Sequence, residues 1–232
     1  MEPKTLQLFK DESGQIIASV TPAGLAVAWS SSNSDIAIVE DGTVTGLEPG
    51  TVTITGSIEY EGVTYSDTVT VEVSPYALVR DYTSSSNWDN ASYFESKQYF
   101  ETNRQTRLVY ENEALELVYD EVAPSTSTLF ADIKTSLEGL ELDENKAYKL
   151  LLDFNNTAEA SYTLQVKCTG AAANMLKGNN VDEVVTLEPG STQVIKELTY
   201  NASGTRAFTL QVKLNEPLPT GAISFTIKLV NT

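Results

Sequence analysis

AWSSSNSDIAIVEDGTVTGLEPGTVTITGSI, residues Ala28–Ile58, is the stretch whose reading decides the fold at the front of the chain. Val52 and Ile54 alternate with Thr51, Thr53 and Thr55, a period of two that puts the apolar side chains on one side of a strand. Asp41-Gly42 and Glu48-Pro49-Gly50 punctuate the runs as turn signals. Further on, Thr68–Val73 reads TVTVEV and repeats the alternation. Short β-branched strands at this spacing predict a sandwich, with Trp29 in its core.

Ser74-Pro75 marks the predicted boundary, because proline has no N–H to continue a ladder. It divides the chain into residues 1–75 and 76–232. Strands are predicted in the second part at Ala114–Tyr119, Thr128–Ile133, Ala147–Phe154, Ser161–Thr169, Val184–Leu187, Gln193–Tyr200, Arg206–Leu214 and Ala222–Val230. Tyr148, Leu150, Leu152 and Phe154 share one face, as do Phe208, Leu210, Val212 and Leu214. Gly139, Gly170, Gly178, Pro189-Gly190, Gly204 and Gly221 fall between the runs, and no helical stripe appears. Eight or more strands favour a jelly roll. YTLQVK at 162–167 echoes FTLQVK at 208–213, and LEPG at 47–50 recurs at 187–190. A solenoid needs three or more similar units, so paired strands and a common turn account for both echoes.

The order W-x-S-S-N, G-T-V-T-G and P-G-T-V-T-I-T within Ala28–Ile58 resembles the bacterial immunoglobulin-like domain of group 2, over nearly all of residues 5–74. The resemblance implies an immunoglobulin-like sandwich acting as a spacer or display unit, sometimes adhesive, in secreted and surface-anchored bacterial proteins. No aromatic or charged constellation in this part suggests binding, so a spacer is expected. In the second part, KAYKLLLDF, SYTLQVK, GSTQVIKELTY and TGAISFTIKLV resemble the jelly-roll carbohydrate-binding modules of families 4, 9 and 22, over about Ala114–Val230. That group often carries an Asn-Gly-Asp-Phe-Glu-like opening and a C-terminal Asp that help hold a structural calcium. Neither is present, the last strand reading ISFTIKLVN, so the chain resembles a divergent relative and no metal or cofactor is expected. The expected fold class is all-β, an immunoglobulin-like β-sandwich followed by a jelly-roll-like β-sandwich.

Composition narrows the chemistry. The 232 residues carry 32 acids against 15 bases, a formal charge of −17, which repels nucleic acid and anionic membrane. Histidine is absent, which removes the usual general base, the Ser-His and Cys-His nucleophile systems and the commonest metal ligand. Cys168, the one cysteine, forms no disulfide within the chain and reads as a small buried hydrophobe. No run approaches the ~20 apolar residues of a membrane helix, and MEPKTLQ is not a signal peptide. A segment of a longer extracellular or bacterial cell-surface protein is expected, itself monomeric.

The stretch NWDNASYFESKQYFETNRQTRLVY, residues 87–110, concentrates Trp88, Tyr93, Phe94, Tyr99, Phe100 and Tyr110, six of the chain's 7 Phe, 11 Tyr and 2 Trp. They stand among amides and guanidinium groups without one clean period. A pyranose offers an apolar C–H face for stacking and a rim of hydroxyls for hydrogen bonds. Trp88, between TSSSN and DNAS, is either a lid on the core or a ligand platform; with Tyr93 it is the first candidate for stacking. Tyr99 is a weaker candidate, and Phe94 and Phe100 are assigned to core. Gln98, Asn103, Arg104 and Arg107 are candidates for hydroxyl contacts. Neutralising the acidic surface is the competing role of the two arginines, and the favoured one. Stretches 120–128 and 170–183 are candidate walls of the site.

Glycosidases of this build need two carboxylates about 5–10 Å apart. Glu116, Asp132, Asp153 and Glu197 are the acids available on strands, and none stands in a distinguishing context. The expectation is therefore a binder and not an enzyme. It takes a polysaccharide by way of several weak subsites, with starch-like α-glucan ahead of xylan, mannan or β-glucan. The alternative class is a structural or adhesive surface protein without a glycan ligand.

Overall fold

The computed structural model describes residues 1–84, 106–119, 131–169, 175–179 and 181–232. Their regular structure is strands and turns throughout, with no helix, so the all-β expectation holds. The chain forms two compact units, Met1–Leu78 with Thr232, and Val79–Asn231.

The first unit contains β1 (Thr5–Leu8), β2 (Ser13–Gln15), β3 (Ala28–Ser31), β4 (Ala37–Glu40), β5 (Thr43–Gly46), β6 (Gly50–Tyr60) and β7 (Val63–Val73). One sheet runs β1-β7-β6-β3 and the other β2-β5-β4. Val52 and Ile54 on β6 face Val69, Val71 and Val73 on β7 across the pair, and all five are buried. Leu8, Ile16, Ala37 and Val44 complete this core, with Trp29 packed against it half-buried. The predicted turn at Asp41-Gly42 joins β4 to β5 with both residues at positive φ, 47° and 80°. That is the geometry whose twist suits a two-residue hairpin.

The second unit contains β8 (Ala77–Asp81, which starts in the first), β9 (Thr106–Glu111), β10 (Ala114–Tyr119), β11 (Ala131–Ser136), β12 (Tyr148–Asn156), β13 (Tyr162–Thr169), β14 (Leu176–Lys177), β15 (Glu183–Leu187), β16 (Gly190–Tyr200), β17 (Ala207–Leu214) and β18 (Ile223–Asn231). One sheet runs β14-β16-β12-β18-β10-β9, with β8 also on β18; the other runs β11-β17-β13-β15. Four strands pair in reverse order with the four that come later: β10 with β18, β11 with β17, β12 with β16, β13 with β15. A long antiparallel ribbon rolled up so that successive strands fall in alternate sheets has this pairing, and it is the jelly roll expected.

Alternation fills the space between the sheets. Tyr148, Leu150, Leu152 and Phe154 are buried, and so are Phe208, Leu210, Val212 and Leu214, as their spacing predicts. Phe154 and Phe225 are register partners with ring centroids 4.8 Å apart, and Tyr82 meets Phe208 edge-on at 5.3 Å. The echo YTLQVK/FTLQVK belongs to β13 and β17, which are neighbours in one sheet, so the repetition is of paired strands.

Two differences from the sequence reading have tertiary causes. β11 continues to Ser136, three residues past the expected end. There Thr135 is fully buried opposite Phe208, so a polar residue takes a core position that hydropathy does not flag. The candidate wall 170–183 includes β14 on the edge of β16, and Met175 and Leu176 are buried in the core. Two apolar residues among Asn and Gly tie that stretch down.

Two outcomes follow. A Cβ at Gly42 would stand 2.6 Å from the Ile16 carbonyl oxygen in a backbone at φ +80°. Gly42→Ala is expected to cost about 1–3 kcal/mol, read as a lowered urea midpoint by circular dichroism. Cys168 is 1% exposed, and burial pushes its thiol up to about 12. Since the thiolate is the reactive species, iodoacetamide at pH 8 is expected to label Cys168 only in unfolding concentrations of urea. Mass spectrometry of native and unfolded samples decides it.

Candidate functional site

Of the residues the sequence offers for ligand contact, Trp88, Tyr93, Gln98, Tyr99, Asn103 and Arg104 lie outside the described residues, as do Phe94 and Phe100. Arg107 is on β9, paired in register with Val118 of β10. Tyr110 is half-buried against the second core, and its phenol donates to the Thr83 carbonyl at 2.8 Å. That member of the aromatic stretch serves packing. Thr106, the first residue of β9, and Tyr119, the last of β10, are register partners. Thr106 is itself fully buried, and its Oγ1 accepts from the Leu214 amide at 2.9 Å, tying β9 of one sheet to β17 of the other.

The described surface best suited to hydroxylated ligands is the outer face of β11-β17-β13-β15. Because Leu164, Val166, Phe208, Leu210 and Val212 point inward, the residues between them point out. Gln165 stands opposite Lys213 and Lys167 opposite Gln211, all four half-exposed. The two strands therefore present amide and ammonium groups in a checkerboard. Thr163 and Thr209 flank it, and Val184, 61% exposed, adjoins Gln165 from β15. Amides both donate and accept while ammonium only donates, which is the mixture a row of sugar hydroxyls engages. Lys167 is also paired with Asp182 at 3.2 Å. This face was not among the sequence candidates. Its signal was the echo itself, which places the same Gln and Lys on adjacent antiparallel strands.

Three of the four strand acids weighed for catalysis have partners already. Glu116 Oε1 accepts from the Gly221 amide at 2.6 Å. Asp153 accepts from Gln193 Nε2 at 2.7 Å and lies 3.9 Å from Lys228 Nζ, and Glu197 is paired with Lys149 at 2.9 Å. Asp132 is on β11, in register with Gln211. At the edge between β15 and β16 a depression of about 240 Å³ is lined by Cys168, Asn179, Lys196 and Glu197. Lys196 is buried in the inward row between Val194 and Leu198, its stem against the core and its ammonium bonded to the Glu183 carboxylate. The thiol, driven towards its neutral form, and the paired ammonium make this a structural edge.

Exposed aromatic rings among the described residues are confined to the first unit, where Tyr60 and Tyr65 stand open to solvent. The sequence reading singled out neither ring, since it found no constellation in this part that suggests binding. Sequence alternation does put Tyr60 and Tyr65 on the core-facing side of their strands, so nothing in the pattern separates them from buried residues.

Residues 1–71 match the bacterial Ig-like domain (group 2) family, which bears out the resemblance read from Ala28–Ile58. An α-L-arabinofuranosidase of Bifidobacterium longum subsp. longum is 44% identical over 71 residues, which is 29% of this chain and 7% of that relative. Among solved structures, PfGH50B aligns over 54% of this chain and 21% of its own at 13% identity and a TM-score of 0.33. The CBM51-2 and INT domains of ZmpB from Clostridium perfringens align over 98% of this chain and 47% of their own at 12% identity and a TM-score of 0.29. At those scores the structural likeness carries no argument about the site; the sequence match is specific, and it is to the first unit.

Proposed function

We propose that the chain is a non-catalytic polysaccharide-binding segment of a secreted or cell-surface glycan-degrading enzyme. In this reading residues 1–75 are the spacer and residues 76–232 the binding module. The observation that carries it is the first unit's specific similarity to a stretch of a bacterial arabinofuranosidase. A glycosidase that carries such a unit gains from neighbours that hold it on its polymer. The outer face of β11-β17-β13-β15 supports the same reading, offering Gln165, Lys167, Gln211 and Lys213 at a spacing suited to successive hydroxyls.

Stacking is assigned to Trp88 and Tyr93, with Tyr99 third, and hydroxyl contacts to Gln98, Asn103, Arg104 and Arg107. Each stacked ring hides a small apolar area, at ~25 cal/mol per Å². Several subsites are therefore required, and the affinity is micromolar, roughly −8 kcal/mol. Starch-like α-glucan is the lead ligand on the close spacing of the candidate rings. Arabinose-bearing xylan is the second reading, favoured by the activity named for the relative.

Affinity electrophoresis of the whole chain in gels containing starch, arabinoxylan, glucomannan or mixed-linkage β-glucan tests this. Retardation is expected in at least one gel, weakened at least tenfold in Trp88→Ala and at least threefold in Gln165→Ala, with circular dichroism unchanged. Free migration of the parent chain in every gel would leave the structural or adhesive alternative standing.

A further inference from the structure

The inner face of the first unit's main hairpin is longer than the sheet that covers it. β6 and β7 are 11 residues each, whereas β2, β5 and β4 are 3, 4 and 4. Over Val52–Ile54 and Val69–Val73 the face is core. Past Gly56 the same alternation continues as Ile58 and Tyr60 on one strand and as Tyr65 and Val63 on the other. Ile58 pairs with Tyr65 and Tyr60 with Val63. Tyr60 is 37% exposed, Val63 50% and Tyr65 53%. The two phenol rings are diagonal neighbours across the pair, a separation aromatic side chains span. Glu61-Gly62, both at positive φ, close the tip in a two-residue turn.

A cleft of about 470 Å³ opens on this face, within the ~300–1,000 Å³ usual for small-molecule sites. Its apolar inner wall is Met1, Val27 and Ile58. Gly56 makes room for them: a Cβ there would stand 2.7 Å from Met1 Sδ and 3.2–3.3 Å from Val27 and from the Trp29 indole, which packs beside the cleft. The rings of Tyr60 and Tyr65 form one side, and the 18–21 segment, with Ser19 and Thr21, forms the other. Ser66 and Asp67 close the inner end. Asp67 is ionised and engaged within the protein: its Oδ2 accepts from Lys4 Nζ at 2.7 Å and from the Met1 N-terminal ammonium at 2.6 Å, which together hold that carboxyl well below the usual carboxylate range.

We infer that this cleft binds an uncharged pyranose unit of a glycan, making the first unit a second saccharide site and not only a spacer. Apolar wall, two phenol faces and a hydroxyl rim reproduce in negative the two characters of a sugar ring. A purely apolar partner would cover the Ser19, Thr21 and phenol hydroxyls without replacing their bonds to water, at a cost for each. A second copy of the chain brings another −17 charges, and an acidic glycan is repelled likewise. The inference does not depend on the second unit binding anything.

Trp29 and Trp88 are the two tryptophans. Trp88→Ala therefore leaves the indole beside the cleft as the sole fluorophore of its kind, and removes the leading platform of the other unit. Titration of this variant of the 232-residue chain with maltohexaose, xylohexaose, cellohexaose and linear arabinohexaose is expected to give a saturable change in Trp29 emission with at least one. Adding Tyr65→Ala or Tyr60→Ala is expected to weaken that response at least tenfold; both residues are exposed, so folding is retained. No response to any of the four, or a response unchanged in both tyrosine variants, overturns the inference. So does sugar-free dimerisation in sedimentation that Tyr65→Ala abolishes, which would give the cleft to a second copy. The part of the parent chain's gel retardation that Trp88→Ala removes reports on the second unit alone, so the two sites fail separately.

Discussion

Phe154 on β12 and Phe225 on β18 face each other across the middle of the larger sheet, their rings nearly parallel and 4.8 Å apart. Around that contact the register of the second unit is set. A slip of β12 by one residue would turn Phe154 outward together with Tyr148, Leu150 and Leu152, and leave Phe225 without its partner. It would bring Lys149 and Asp153 into a space with no partner for either charge. β12 is held on both sides, by β16 and by β18, along its whole length. The strand that carries the most buried side chains is thereby the one least free to move.

The outer faces inherit what that register leaves over. On the larger sheet the leftover residues pair with one another, Asp153 with Gln193 and Lys228, Glu197 with Lys149. On the smaller sheet they form the amide–ammonium checkerboard of Gln165, Lys167, Gln211 and Lys213. One physical requirement, apolar residues inward at every second position, therefore produces a carboxylate-bearing face and an amide–ammonium face on opposite sides of one sandwich. The first unit departs from this economy at the far end of its hairpin, where the inward row outruns its cover and two tyrosines reach water.

Much of this was legible from the order of residues. Alternation in Thr51–Thr55, Thr68–Val73, Tyr148–Phe154 and Phe208–Leu214 identified strands and their buried sides, and Asp41-Gly42 identified a hairpin turn. These are local properties, since pleat and turn geometry act over two to four residues. Local reading failed where a polar residue was taken into the core, as at Thr135, and where two apolar residues pinned an otherwise polar stretch, as at Met175 and Leu176. In both cases burial depended on a partner distant in sequence.

Sequence alone determined that the chain is all-β, that its front resembles a bacterial Ig-like domain, and that histidine-based chemistry is closed to it. Composition and short-range periodicity are sufficient for such statements. Tertiary structure decided which strands are neighbours, and with that which outward residues stand together. Gln165 and Gln211 share a face because β13 lies beside β17, and Tyr60 and Tyr65 open a cleft because the sheet opposite them ends early. Exposure depends on what covers a residue from elsewhere in the chain, and no window of sequence contains its own cover.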